Sequence, residues 1–122
     1  VPGVYAAGDT AAAYAEPGHQ VLPSCRHAIP LGKLAGHNAA ALLGLAPAAF
    51  APKPYVTCLH LDGAGAVFAT GWERAVRLTG PEAKARKHMI TERWTCPPLD
   101  DAEEILRRGD HSRPLGEGER AA

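Results

Sequence analysis

Apolar and polar positions follow one spacing in the first part of the chain and another in the second. Val1-Pro2-Gly3-Val4-Tyr5-Ala6-Ala7 is an apolar run closing on Gly8-Asp9, the pattern of a buried strand in a parallel sheet. Such a strand needs neighbours on both sides, so the run predicts the C-terminal part of a longer protein; the alternative is an edge strand in a small complete domain. Asp9 then caps a short helical turn through Ala11 to Tyr14, and Glu16-Pro17-Gly18-His19 reads as a loop. The spacing of Leu31, Leu34, Asn38, Leu42 and Leu45 predicts a helix over Leu31 to Leu45 with those residues on one side. Gly32, Gly36 and Ala40 form a second, small-residue stripe that lets the helix lie close to a sheet, and Gly44 supplies a stop. Pro30 has no N–H and clashes with the carbonyl four residues back. Either the helix starts near it, or a separate turn from Ser24 to Ala28 precedes it. In both cases backbone N–H groups between Cys25 and Leu31 are expected to lack helical partners, and a helix start carries partial positive charge.

Beyond the Pro47, Pro52 and Pro54 cluster the period changes to strand-like. Tyr55 to Leu61 and Ala66 to Trp72 are two strands joined by the turn Asp62-Gly63-Ala64-Gly65, and Val76-Arg77-Leu78 adds a third. Gly63-Ala64-Gly65 lacks the third glycine of a nucleotide loop, because Phe68 stands in its place. Gly80-Pro81-Glu82 opens a helix to about Trp94, with Ala83, Ile90 and Trp94 on one side. Lys84, Arg86, Lys87, His88 and Arg93 make that helix basic, which reads as a solvated face or a docking surface for acidic lipid or a partner. Acidic residues from Asp100 to Glu104 ahead of Arg107 and Arg108 suit one further short helix. Disorder is expected from Gly109 onward. The resulting organisation is residues 1–48, residues 53–98 and a charged tail over 99–122.

Composition narrows the function classes. With 13 Lys+Arg against 13 Asp+Glu there is no polyanion footprint, so nucleic acid is not an expected partner. Hydrophobic residues at 46% make a core feasible. No run reaches the ~18 apolar residues of a membrane span. Cys25, Cys58 and Cys96 are far apart and form no CxxC, which suits reduced thiols in the cytoplasm. The six histidines form no HExxH and no Cys–His set with metal-ligand spacing, so no metal is expected. The strongest chemical candidate is Gly8-Asp9. A carboxylate at the end of a parallel strand sits where open α/β sheets bind ligands, and an ionised Asp accepts hydrogen bonds from polyol hydroxyls. The competing reading is a helix cap alone. His27 lies beside the helix-start donors and is a candidate ligand contact. Cys25 is a weaker redox candidate.

These residues, in this order, resemble a family. Val4-Tyr5-Ala6-Ala7-Gly8-Asp9 is similar to the second flavin motif of two-dinucleotide-binding-domain flavoproteins. Pro23-Ser24-Cys25-Arg26-His27-Ala28, with Gly32 and Asn38 following, resembles the next motif of type II NADH dehydrogenases. The hairpin with Gly71-Trp72 and the basic helix resemble the C-terminal domain of those enzymes. The resemblance covers residues 1 to about 98. It implies an α/β chain: a fragment of a Rossmann-like FAD-binding domain, then a small α+β hairpin-and-helix domain. It also implies FAD as cofactor, NAD(P)H as donor and a quinone-like acceptor as partner. The implied cofactor-binding residues are Gly8, Asp9, Arg26, His27 and Ala28. Asp9 would hold the ribityl chain, and backbone donors from Arg26 to Ala28 would face the flavin pyrimidine edge. Where the family carries Gln in its quinone-contacting pattern, this chain has Arg26 and Pro30. Residues 99–122 hold seven acidic and four basic residues, which opposes adsorption to an anionic membrane. Membrane contact is therefore expected to be peripheral at most, at the inner face. A homodimer is left open. The alternatives are a stand-alone interaction module and another FAD-dependent reductase of the ferredoxin, sulfide or disulfide type.

Overall fold

Two units divide the chain in the computed structural model, which describes residues 1–115. The first comprises Val1–Lys53 and Asp101–Pro114, and the second Pro54–Asp100 together with Leu115. The architecture is mixed α and β, with two small antiparallel sheets.

In the first unit, residues 1–7 form no strand. Val1, Val4 and Tyr5 are exposed, and among the described residues no strand lies beside them to take their backbone groups. The expected parallel strand therefore has no sheet to join. A 3-10 turn at Gly8–Thr10 follows, with Gly8 at φ +77°, where only glycine is unstrained. The expected helical turn through Ala11 to Tyr14 is absent. Instead β1 (Tyr14–Glu16) pairs with β2 (His19–Gln20) around Gly18, which has positive φ.

Helix α1 runs Cys25–Ala41, six residues earlier at its start than the apolar spacing predicts. Ser24 is the reason. Its side chain accepts the Arg26 N–H at 3.2 Å, a cap worth about 1 kcal/mol. Pro30 stays inside the helix, with no N–H for the Arg26 carbonyl four residues back. Leu31 is buried, whereas Leu42, Leu43 and Leu45 are exposed. The helix ends in three tight backbone bonds, to Ala39, Ala40 and Ala41, and Gly44 at φ +103° turns the chain. Asn38 then fastens the following segment. Its amide donates to the Ala48 carbonyl at 3.0 Å and accepts the Ala48 N–H at 2.8 Å. Helix α3 (Ala102–Gly109) also belongs to this unit, capped by Asp101, which accepts the Glu104 N–H at 2.9 Å. Residues beyond α3 return to α1: Lys33 Nζ donates to the Arg113 carbonyl at 3.3 Å, and the His37 and His111 rings lie 4.0 Å apart. Part of the stretch expected to be disordered is thus hydrogen-bonded, and the rest of it lies outside the described residues.

The second unit follows the spacing closely. Strands β3 (Val56–His60), β4 (Ala66–Thr70) and β5 (Ala75–Thr79) form an antiparallel sheet in order β3-β4-β5, with Cys58 opposite Phe68. A bulge at Phe68/Ala69 bends the β4–β5 pair. Tyr55 and Trp72 stack with centroids 5.4 Å apart, and the Gly71 N–H donates to the Tyr55 carbonyl at 2.8 Å. Helix α2 (Gly80–Met89) packs on β4 through Ala83, which is fully buried. The helix continues as a π turn, Ile90–Trp94, closed by the Thr95 N–H on the Ile90 carbonyl at 3.0 Å. Arg86 turns inward rather than to solvent. Its guanidinium carbon lies 5.6 Å from the Phe68 ring centroid and 5.0 Å from that of Trp94. Cation–π contacts of this kind contribute about 0.5–2 kcal/mol, at least as much as the ~0.3–0.5 kcal/mol of an exposed helical ion pair.

Candidate functional site

The N-terminal end of α1 gathers the residues that the sequence singles out. Asp9 Oδ1 accepts the Ser24 N–H at 3.1 Å across a separation of 15 residues. Asp9 therefore does not cap the residues that follow it; it completes the start of α1, where a negative charge meets the positive end of the helix dipole. The Gly8–Thr10 turn and the Cys25–Ala28 turn come together here. Space above Gly8 is open, with nothing within 4 Å of where a Cβ would stand. Asp9 is exposed, and among the described residues nothing donates to its Oδ2.

The donors at this helix start are largely committed. The Arg26 N–H goes to Ser24 Oγ, and the His27 and Ala28 N–H groups go to the Ser24 carbonyl at 3.0 and 2.8 Å. The expectation of several unpartnered N–H groups between Cys25 and Leu31 is corrected by this geometry. Because Ser24 starts the helix ahead of Pro30, what Pro30 withholds from the helix is a single donor, its own N–H.

Arg26 is half-buried, and burial pulls its guanidinium below the ordinary arginine range, while the neighbouring Cys25 thiol pulls the other way. It remains a cation at neutral pH. His27 is almost fully buried, and its Nε2 lies 3.1 Å from the Lys53 carbonyl. Its imidazole is thus held by backbone rather than presented beside Asp9. Cys25 is exposed at the first helical position. Among the described residues no three His, Cys, Asp or Glu side chains gather to hold a metal ion. No helix among them is long and apolar enough to cross a membrane.

Two features were not read from the sequence. Ser24 is the hub of the site, and its place before Cys25 with Asp9 upstream carried that signal in retrospect. The Arg86 clamp is the other. Arg86 and Trp94 lie about two helical turns apart, a spacing that puts them on one face, but the Phe68 ring arrives only through the sheet.

The chain is 44% identical over 101 residues to proteins described as NADH dehydrogenase-like from Mycobacterium tuberculosis strain CDC 1551 / Oshkosh and from strain ATCC 25618 / H37Rv. The match takes in 82% of this chain and 25% of each relative, so the chain spans about a quarter of the curated relatives' length. No family model matches the chain, and no solved structure matches it significantly.

Proposed function

We propose that the chain is the C-terminal part of an FAD-dependent oxidoreductase that takes electrons from NAD(P)H and passes them to a quinone-like acceptor. Its first unit is then a piece of a Rossmann-like FAD-binding domain, and its second the small C-terminal domain. The observation that carries this reading is the meeting of Asp9 with the start of α1 at Ser24, 3.1 Å apart. It joins the two segments that resemble consecutive flavin motifs. The NADH dehydrogenase-like relatives support the same class.

The residues fit the cofactor in a definite way. Asp9 keeps Oδ2 open to a ribityl hydroxyl, which an acceptor-only carboxylate binds well. Gly8 leaves room for close approach of a ligand to the backbone. The N–H groups of Arg26, His27 and Ala28 are engaged by Ser24. Stabilisation at the pyrimidine edge therefore falls to the helix dipole and the Arg26 guanidinium rather than to free N–H donors. His27 positions α1 through Lys53 and is not a cofactor contact in this reading. When bound, FAD supplies the two-electron centre for hydride chemistry. Positive charge at Arg26 favours the reduced, anionic form and an acceptor with an acidic or carbonyl-rich head.

The test is FAD titration of the apo form of the full-length protein that carries this chain. Asp9→Ala removes a charge-assisted hydrogen bond of about 1.5–3 kcal/mol, a roughly tenfold to hundredfold loss of affinity. Asp9→Asn retains an oxygen for the Ser24 N–H and separates cofactor binding from the anchoring of α1. Equal dissociation constants for all three proteins would reduce Asp9 to an anchor for α1 and remove the flavin reading.

A further inference from the structure

Arg86 is a guanidinium with aromatic walls and no acid. Its side chain is half-buried over Phe68 and Trp94, and its Nε is buried without a hydrogen-bond acceptor. Glu82 stands four residues before it on α2, the usual distance for a helical ion pair, yet the two are not paired. Glu92 is taken by His88, whose Nδ1 lies 2.8 Å from its Oε1. Among the described residues, no carboxylate and no carbonyl meets Arg86. Its planar orientation is thus set by two rings.

We infer that Arg86 binds the carboxylate of a small organic acid whose apolar body lies against Phe68 and Trp94. A guanidinium presents a rigid fork of donors that matches a carboxylate in two parallel hydrogen bonds. Because Nε is buried, the carboxylate meets the two terminal amino groups end-on. A phosphate fits less well. Arg86 stands in the second half of α2, away from the N-terminal backbone donors that phosphate sites use. The rings give the ligand its second requirement, because apart from the Trp94 indole N–H they offer apolar area. This site lies wholly within the second unit and does not depend on the flavin reading.

The 122-residue chain has two tryptophans, so Trp72→Phe leaves Trp94 as the sole reporter and keeps a ring against Tyr55. Its emission is followed during titration with acetate, hexanoate, phosphate and chloride at constant ionic strength. The expected result is a saturable change with hexanoate at lower concentration than with acetate, and none with chloride. Arg86→Gln should abolish the change, and Arg86→Lys, which keeps the charge but loses the fork, should weaken it roughly tenfold. If Arg86→Gln does not fold, as judged by circular dichroism, Arg86→Lys and the anion series decide. An equal response to chloride, tighter binding of phosphate, or an unchanged response in the Arg86 variants would overturn the proposal. Tighter binding of a blocked glutamate amide than of hexanoate would overturn it in favour of an acidic protein segment.

Discussion

The two units carry similar sequence signals and use them differently. The second closes its own sheet: three strands in consecutive order, with Ala66, Ala69 and Ala83 buried. The first has a 17-residue helix and an apolar opening run, yet Leu31 is its one buried apolar side chain among the described residues. Val1, Val4, Leu42, Leu43 and Leu45 stay exposed, and Gly32 and Gly36 face open space. Hairpin pairing is local and needs only a turn, whereas a buried parallel strand needs partners far away in sequence. The contrast teaches that the first unit leaves much of its apolar surface uncovered by its own residues, whereas the second covers its sheet with its own helix. The 101 matched residues make up 25% of each NADH dehydrogenase-like relative.

The sharpest way to break this comparison is at Ala83. It is fully buried, so Ala83→Leu forces extra volume into a packed contact and should cost about 1–3 kcal/mol. Both tryptophans lie in the second unit. Urea unfolding followed by tryptophan emission should therefore shift to lower midpoint, while the part of the circular dichroism signal due to α1 keeps its own. A single transition that moves as a whole for both probes would show one cooperative body rather than two.

The same contrast explains what could be read beforehand. The turn at Asp62–Gly65, the alternation on either side and Pro81 after Gly80 are local, and the strands and α2 lie where they predict. The π turn at Ile90–Trp94 was not legible, because it is one inserted residue chosen by packing and leaves no period in the sequence. At the candidate site, the importance of Gly8-Asp9 was legible but its partner was not. Asp9 serves Ser24 across a loop that contains a short hairpin, and nothing adjacent to Asp9 indicates that. The early start of α1 was hidden by Pro30, whose penalty is local and visible, whereas the compensating bonds at Ser24 come partly from Asp9.

A smaller effect sharpens the comparison by changing sign. Gly36 lies in the interior of α1, and a Cβ there would meet nothing within 4 Å. In this chain Gly36→Ala should stabilise the helix by about 0.5–1 kcal/mol, since alanine has less freedom to lose. It is measured as a higher urea midpoint for the helical signal. In the full-length protein, the same substitution should be destabilising if the small-residue stripe lies against a sheet. Stabilisation by the same amount in both would show that this face of α1 stays open and needs no neighbour.

The smallest effect belongs to α3, in the first unit, and it is electrostatic. Glu104 accepts hydrogen bonds from Arg107 and from Arg108, the latter at 2.8 Å. These bonds, Arg107 first, lower its carboxyl from the usual 4.5 to about 2. A carboxyl whose folded value is depressed contributes fully above its unfolded value, and that contribution is lost as pH falls through the folded one. The helical signal of α3 should thus weaken between pH 4.5 and about 2, and salt should reduce the effect because the groups are at the surface. Glu104→Gln keeps an oxygen acceptor but not the charge, and should flatten this part of the profile while the second unit's tryptophan emission stays the same. A profile unchanged in Glu104→Gln would assign the acid sensitivity to other carboxylates and leave α3 held by its Asp101 cap and its packing alone.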